Sequence, residues 1–331
     1  MPEISAAHLP RWRGFNLMEK FIYGHDGPYR EWDFDVMAEW GFDFVRLPTD
    51  YRCWTGAPGV YRESVLREID QAVAWGRQRG IHVNLCLHRA PGYCVNPPAE
   101  PLDLWSAEAG GEEARRQFAA QWRMFAERYC GVPSTELSFD LVNEPAKIDA
   151  AAYLPAVQVA VDAIRAADPA RLIVADGLEW GNQPVPELAG LKIAQSTRGY
   201  QPMNISHYKA GWVEGSDAFP LPRWPLPRAG QPDYDRETHW REQIEPWLRL
   251  REMGVGVHVG EWGAFIHTPH AVVLAWMADL LANWKRAGFG WSMWNLRGAF
   301  GVLDSGRADV RYEPFKGHQL DRAMLELVRA N

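Results

Sequence analysis

Residues 137–146 read LSFDLVNEPA. Leu137 to Leu141 is a short apolar-rich run bounded by a turn signal, the pattern of a buried strand. Asn143 and Glu144 follow directly, so a carboxylate and an amide sit where the strand gives way to a loop. Solvation alone offers little reason to put a Glu there. A carboxylate at a strand end is well placed to handle a proton, and it needs a partner.

The same rhythm continues in both directions. RGFNL (13–17) predicts a first strand, FDFVRLP (42–48) a second and IHVNLCLH (81–88) a third. LSFDLVNE (137–144) is the fourth and RLIVAD (171–176) the fifth. MNISHY (203–208) is expected as the sixth, VGVHVGEWG (255–263) as the seventh and GFGWSMWN (288–295) as the eighth. Helical patterns at 31–40, 62–79, 112–129, 151–167, 238–253, 270–287 and 314–329 lie between and after them, with Gly80 as a helix stop. Strands alternating with helices predict a parallel sheet. Eight units without a linker favour a closed (β/α)8 TIM barrel, an α/β fold, over an open doubly wound sheet. No G-x-G-x-x-G follows the first strand, which weakens a dinucleotide-binding reading. The expectation is one catalytic domain over 1–331, with a Pro- and aromatic-rich loop insertion at about 209–236. Barrel active sites lie on the face that this loop borders, so it is read as a cleft wall.

Composition narrows the function. The chain has 331 residues, 47% hydrophobic and 23% charged, with a net charge of −7 and no basic run. That argues against nucleic acid or an anionic membrane surface as partner. No apolar stretch approaches the roughly 20 residues that span a bilayer. The N-terminal segment shows no basic stretch followed by an apolar one, so no signal peptide is expected. Localisation stays open between the cytoplasm and secretion after signal removal. Four Cys (53, 86, 94 and 130) show no metal-ligand spacing. Cys53 and Cys94 both follow predicted strands and could be neighbours. Seventeen Trp exceed what a core needs. Most should pack helices onto the sheet, leaving a handful as stacking platforms for flat ligands such as sugar rings.

Polar residues recur at the predicted strand ends: Arg46, His88, Asn143 with Glu144, His207 with Tyr208, Glu261 and Trp294. Singly, each has a structural explanation: an ion-pair partner for Arg46, satisfied core histidines for His88 and His207. Jointly they are hard to explain by packing, because the strand ends of a barrel converge on one pocket. Two carboxylates across a pocket, Glu144 and Glu261, allow glycoside hydrolysis. One protonates the leaving oxygen; the other attacks the anomeric carbon or activates water. Donors near Glu261 (Arg46 and Tyr208) would keep it ionised, as a nucleophile requires. A charged Glu261 would help Glu144 keep its proton.

The stretches RGFNL, GFDFVRLP, LHRAPG, LVNEP, SHY, VGEWG and WSMWN, in this order over nearly the whole chain, resemble glycoside hydrolase family 5, the cellulase-type retaining β-glycosidases of clan A. The resemblance implies that Glu144 is the acid/base and Glu261 the nucleophile. It implies that Asn143 bonds the sugar 2-hydroxyl and that Arg46 and Tyr208 hold the nucleophile. His88 and His207 would line the subsite of the cleaved sugar, with Trp294 as its floor. One departure stands out: many members carry His-x-Tyr after strand six, whereas Tyr208 here follows His207 directly. Neighbouring strand residues point to opposite faces, so either a bulge or the strand's end re-aims Tyr208, or its role passes elsewhere.

Trp180 and Trp212 are expected to form sugar subsites, with Trp54, Trp262, Glu19, Asn182 and His25 as weaker candidates. The expected substrate is β-1,4-glucan or cello-oligosaccharide, cleaved by a monomer that needs neither metal nor cofactor. β-Mannan, β-1,3-glucan and other β-glycosides are alternatives within the family. A catalytically silent carbohydrate-binding barrel is the rival of another class, and a metal-dependent barrel hydrolase a further one.

Overall fold

A computed structural model describes residues 4–331. Eight parallel strands carry the barrel: β1 (Arg13–Asn16), β2 (Phe44–Asp50), β3 (His82–Ala90), β4 (Leu137–Asp140), β5 (Leu172–Asp176), β6 (Ala194–Gly199), β7 (Val257–Trp262) and β8 (Gly290–Met293). Each pairs with the next, and β8 returns to β1 through Phe15 opposite Met293, so the sheet closes as a (β/α)8 TIM barrel. The crossovers carry α1 (Glu31–Glu39), α2 (Glu63–Gln78), α3 (Ala109–Arg128), α4 (Ala150–Ala167), α5 (Glu245–Glu252) and α6 (His270–Ala287); α7 (Arg322–Ala330) ends the chain. Caps set several starts. Asp149 accepts from the Ala152 N–H before α4, and Asp321 from the Met324 N–H before α7.

Most expected elements form where the periodicity puts them. The sixth strand does not. Residues 203–208 fold as a helical turn, Met203–Ser206, and the strand lies earlier at Ala194–Gly199. That strand, AQSTRG, is wholly buried yet almost devoid of apolar side chains. The reason lies in the β5–β6 connection, which has only short helical turns, Leu178–Gly181 and Pro186–Leu191. Loop backbone covers β6 there, and polar side chains satisfy it. Gln195 exchanges two hydrogen bonds with Val185, and Thr197 donates to the Gly181 carbonyl. The last expected helix is also shorter, because a hairpin (Glu313–Phe315 with His318–Leu320) occupies its first half.

Trp12, Phe44 and Leu172 form an apolar plug at one end of the barrel, with Ile4, Ala6 and Leu9 against it. Nearer the catalytic face the interior turns ionic. Arg46 of β2 bonds Asp140 of β4, and Arg198 of β6 bonds Asp176 of β5. Ten Trp are buried, Trp54 and Trp262 among them, and serve packing. The insertion at 209–236 meets the site at its start, through Trp212 against His207. Further along, Trp224 Nε1 donates to Asp279 Oδ2 at 2.8 Å and fastens it to α6.

Candidate active site

Glu144 follows β4 with φ of 51°, a left-handed conformation costly for a side chain with a Cβ. Two contacts hold it there. Its N–H donates to Asp176 Oδ2 at 2.8 Å, and its carbonyl accepts from the Tyr93 hydroxyl at 2.6 Å. Its carboxyl accepts from Arg198 Nε at 2.9 Å. Glu261 approaches from β7. A bulge between Val259 and Glu261 brings Glu261 into register with Arg198 of β6. Arg46 Nη1 donates to Glu261 Oε1 at 2.6 Å, and Tyr200 Oη to Glu261 Oε2 at 3.1 Å. Arg198 Nη2 lies 3.5 Å from Glu261 Oε1, so one guanidinium touches both carboxyl groups.

Here two guanidinium groups face four carboxyl groups, Asp140, Glu144, Asp176 and Glu261. Two cations against four acids in a buried cluster favour proton uptake by a carboxyl group there. Burial, the charge of Glu261 and that of Asp176 push Glu144 up to about 8, while Arg198 pulls it down. Burial and Asp176 push Asp140 up to about 6. Glu144 keeps 14% exposure, which leaves its proton a path to the cleft.

Asn143 has its orientation fixed by charge. Its Oδ1 accepts from Arg46 Nη2 and Arg198 Nη2, each at 2.9 Å. The amide nitrogen is thus committed as donor, and it is buried without a partner. His88 is neutral, lowered by burial and by Arg46, and its Nε2 lies 3.0 Å from Asn96 Nδ2. Its ring stacks 5.9 Å from that of Trp294, with Phe21 edge-on to both. His207 is held down to about 4 by burial, and its Nδ1 pairs with Ser206 Oγ at 2.8 Å.

The structure thus gathers Arg46, His88, Asn143, Glu144, His207, Glu261 and Trp294 into one neighbourhood. Arg46 lies mid-strand and fully buried, so it supports the site from below. Trp212 is 60% exposed and joins an aromatic wall with His207, Phe265 and Phe300. Trp180, 39% exposed, sits beside the Glu144 segment, its N–H donating to the Pro145 carbonyl. Tyr208 does not hold Glu261: its ring lies against Lys209, and Tyr200 makes the contact expected of it. Glu19 is tied to Arg297, Asn182 bonds its own turn, and His25 is exposed. Cys53 and Cys94 are both free thiols.

Four residues escape a reading of strand ends. Asp176 ends a correctly placed β5 and could be found by extending the strand-end test to that strand. Arg198 and Tyr200 form Arg-Gly-Tyr, the spacing of His-x-Tyr with Arg in the first place; displacing strand six hides them. Tyr93 carries no sequence signal.

The sequence model described as "Cellulase (glycosyl hydrolase family 5)" matches residues 5–299. The chain belongs to glycosyl hydrolase family 5. It is an O-glycosyl hydrolase of the cellulase type. Endoglucanase C of Acetivibrio thermocellus is 25% identical over 311 residues, covering 86% of this chain and 88% of that protein. Cellodextrinase A of Ruminococcus flavefaciens is 24% identical, over 72% of this chain and 69% of that one. A crystal structure described as a glycoside hydrolase superposes with a TM-score of 0.90 at 38% identity, covering 97% of this chain and 99% of that one. Cel5A of Thermotoga maritima, in a complex with mannotriose, shares the fold at a TM-score of 0.77 and 22% identity, covering 96% of this chain and 97% of that one.

Proposed function

We propose that this family 5 enzyme is a retaining endoglucanase that cleaves β-1,4-glucan or cello-oligosaccharides by double displacement. The observation that carries this reading is the carboxyl pair at the ends of β4 and β7, bridged by Arg198 and held in contrasting environments. Glu261 accepts donors at both oxygens, which suits a nucleophile aimed at the anomeric carbon. Glu144 is pushed toward its protonated form and opens onto the cleft, which suits an acid. In the first step a Glu261 oxygen bonds the anomeric carbon, the glycosidic bond breaks and the Glu144 proton passes to the leaving oxygen. In the second, water gives its proton to Glu144, its oxygen takes the anomeric carbon and the electron pair returns to Glu261.

Asn143 Nδ2, fixed as a donor without a protein acceptor, is suited to grip the sugar 2-hydroxyl. Trp294 with His88 gives a stacking floor, and Trp212 a platform further along the cleft. The endoglucanase and cellodextrinase names of relatives spanning most of this chain favour β-1,4-glucan and soluble oligosaccharides. Mannan is the second substrate to test, because the Thermotoga protein was captured with mannotriose.

Cello-oligosaccharide hydrolysis followed by proton NMR tests the reading. A first-formed β-anomer supports it and a first-formed α-anomer overturns retention. Glu261→Gln should abolish turnover of an activated aryl β-glycoside; near-normal activity in that variant would remove Glu261 as the nucleophile.

A further inference from the structure

Double displacement moves one negative charge between two carboxyl groups. Before the first step the anion is Glu261. Once the glycosyl ester forms, Glu261 is neutral and Glu144, having lost its proton, is the anion. A cation that served only one of them would favour one half of the cycle. Arg198 is placed to serve both, with Nε 2.9 Å from Glu144 Oε1 and Nη2 3.5 Å from Glu261 Oε1. It cannot swing away. Asp176 takes both terminal nitrogens, with Nη1 at 3.0 Å and Nη2 in a shorter contact, and Ser196 Oγ takes Nη1 at 3.0 Å. Two glycines make room for it. A Cβ on Gly181 would lie 2.7 Å from Arg198 Cγ, and one on Gly260 would lie 2.9 Å from Arg198 Nη1. Asp176 reaches Glu144 a second way, through the Glu144 N–H.

We propose that Arg198, clamped by Asp176, is a positioning residue that holds one positive charge against whichever of Glu144 and Glu261 is the anion, so that Glu144 serves as acid in the first step and as base in the second. This rests on the double-displacement reading above. An imidazole, the commoner group at the first place of the His-x-Tyr spacing, does not carry a fixed charge at neutral pH; a guanidinium does. The groups that face Glu144 are Asp176 from β5, Arg198 from β6, Tyr200 after it, Glu261 from β7, Tyr93 at its carbonyl, and Arg46 through Asn143. Arg198 favours the ionised form of Glu144; Asp176 opposes it. Removing each must therefore move Glu144 in opposite directions, a signature that loss of structure alone does not give.

Carbon-13 carboxyl NMR reads Glu144 without any substrate, its signal assigned by its loss in Glu144→Gln. Arg198→Gln should raise the Glu144 titration by about 1–3 units. Asp176→Asn should lower it, and Arg198→Lys should leave it near the wild-type value. The alkaline limb of kcat/KM for a cello-oligosaccharide should shift with the same signs. An unmoved titration, or shifts of the same sign in the Gln and Asn variants, overturns the proposal. Should Arg198→Gln not fold, Asp176→Asn decides alone, with a downward shift in support and any other result against. Failure of the double-displacement reading has a separate sign, undiminished cello-oligosaccharide hydrolysis by Glu144→Gln, and leaves the carboxyl titration intact.

Discussion

Tyr200 donates its hydroxyl to Glu261 Oε2 at 3.1 Å, on the side of the carboxylate that Arg46 leaves free. A hydrogen bond to a charged group is worth about 1.5–3 kcal/mol. Tyr200→Phe should therefore lower kcat/KM by roughly 10- to 100-fold. Tyr208→Phe, which removes a hydroxyl with no contact to Glu261, should stay within about twofold. Steady-state kinetics on an aryl β-glycoside compare the two. The opposite ranking would return the supporting role to Tyr208.

That pair also shows what is legible in the sequence. Seven barrel strands, the carboxyl pair, Arg46 and the helices around them follow from apolar runs and periodicity, because there one face packs on a core and solvation writes a pattern. β6 breaks the rule on both faces. Inward, Ser196 and Arg198 serve the ionic interior; outward, Gln195 and Thr197 satisfy loop backbone. A strand with no apolar face leaves no period-two signal, so the more hydrophobic MNISHY stands in its place. The tyrosine assignment slips with it. Among the tryptophans, composition fixes their number but not their sides, and Trp54 and Trp262 prove to be core.

Arg46 is fully buried and donates to Asp140, Asn16, Asn143 and Glu261. Breaking a buried ion pair by removing one partner typically costs about 3–5 kcal/mol, because the other charge is stranded. Urea unfolding of Arg46→Met should show a loss of that order. Adding Asp140→Leu should recover part of the stability and none of the activity. A single variant within about 1 kcal/mol of wild type would mean that the interior carries little of this charge at neutral pH.

Trp212 and Trp54 should separate binding from folding. Trp212 stands 60% exposed at the edge of the cleft, whereas Trp54 is fully buried with Nε1 bonded to Gln121. Trp212→Ala should raise KM for oligosaccharides several-fold and leave the Tm nearly unchanged. Trp54→Ala should cost about 3–5 kcal/mol through cavity formation. Calorimetry alongside kinetics checks both. A Trp212 variant that loses stability and keeps its KM would make that residue a packing element.

The protonated carboxyl that suits Glu144 to catalysis should also weigh on stability. Burial and the Glu261 charge raise it in the folded protein to about 8, against about 4.3 in an unfolded chain. Below the unfolded value both states hold the proton, and stability is complete. As pH rises past it, the unfolded chain ionises first, and stability falls until the folded value is passed. Glu144→Gln removes that loss, and its amide oxygen can still accept from Arg198. Scanning calorimetry should find this variant equal to wild type near pH 4 and several degrees more stable near pH 8. A Tm difference that stays constant over this range would place the Glu144 titration at its ordinary value, and the acid in the first step would then have to be another group.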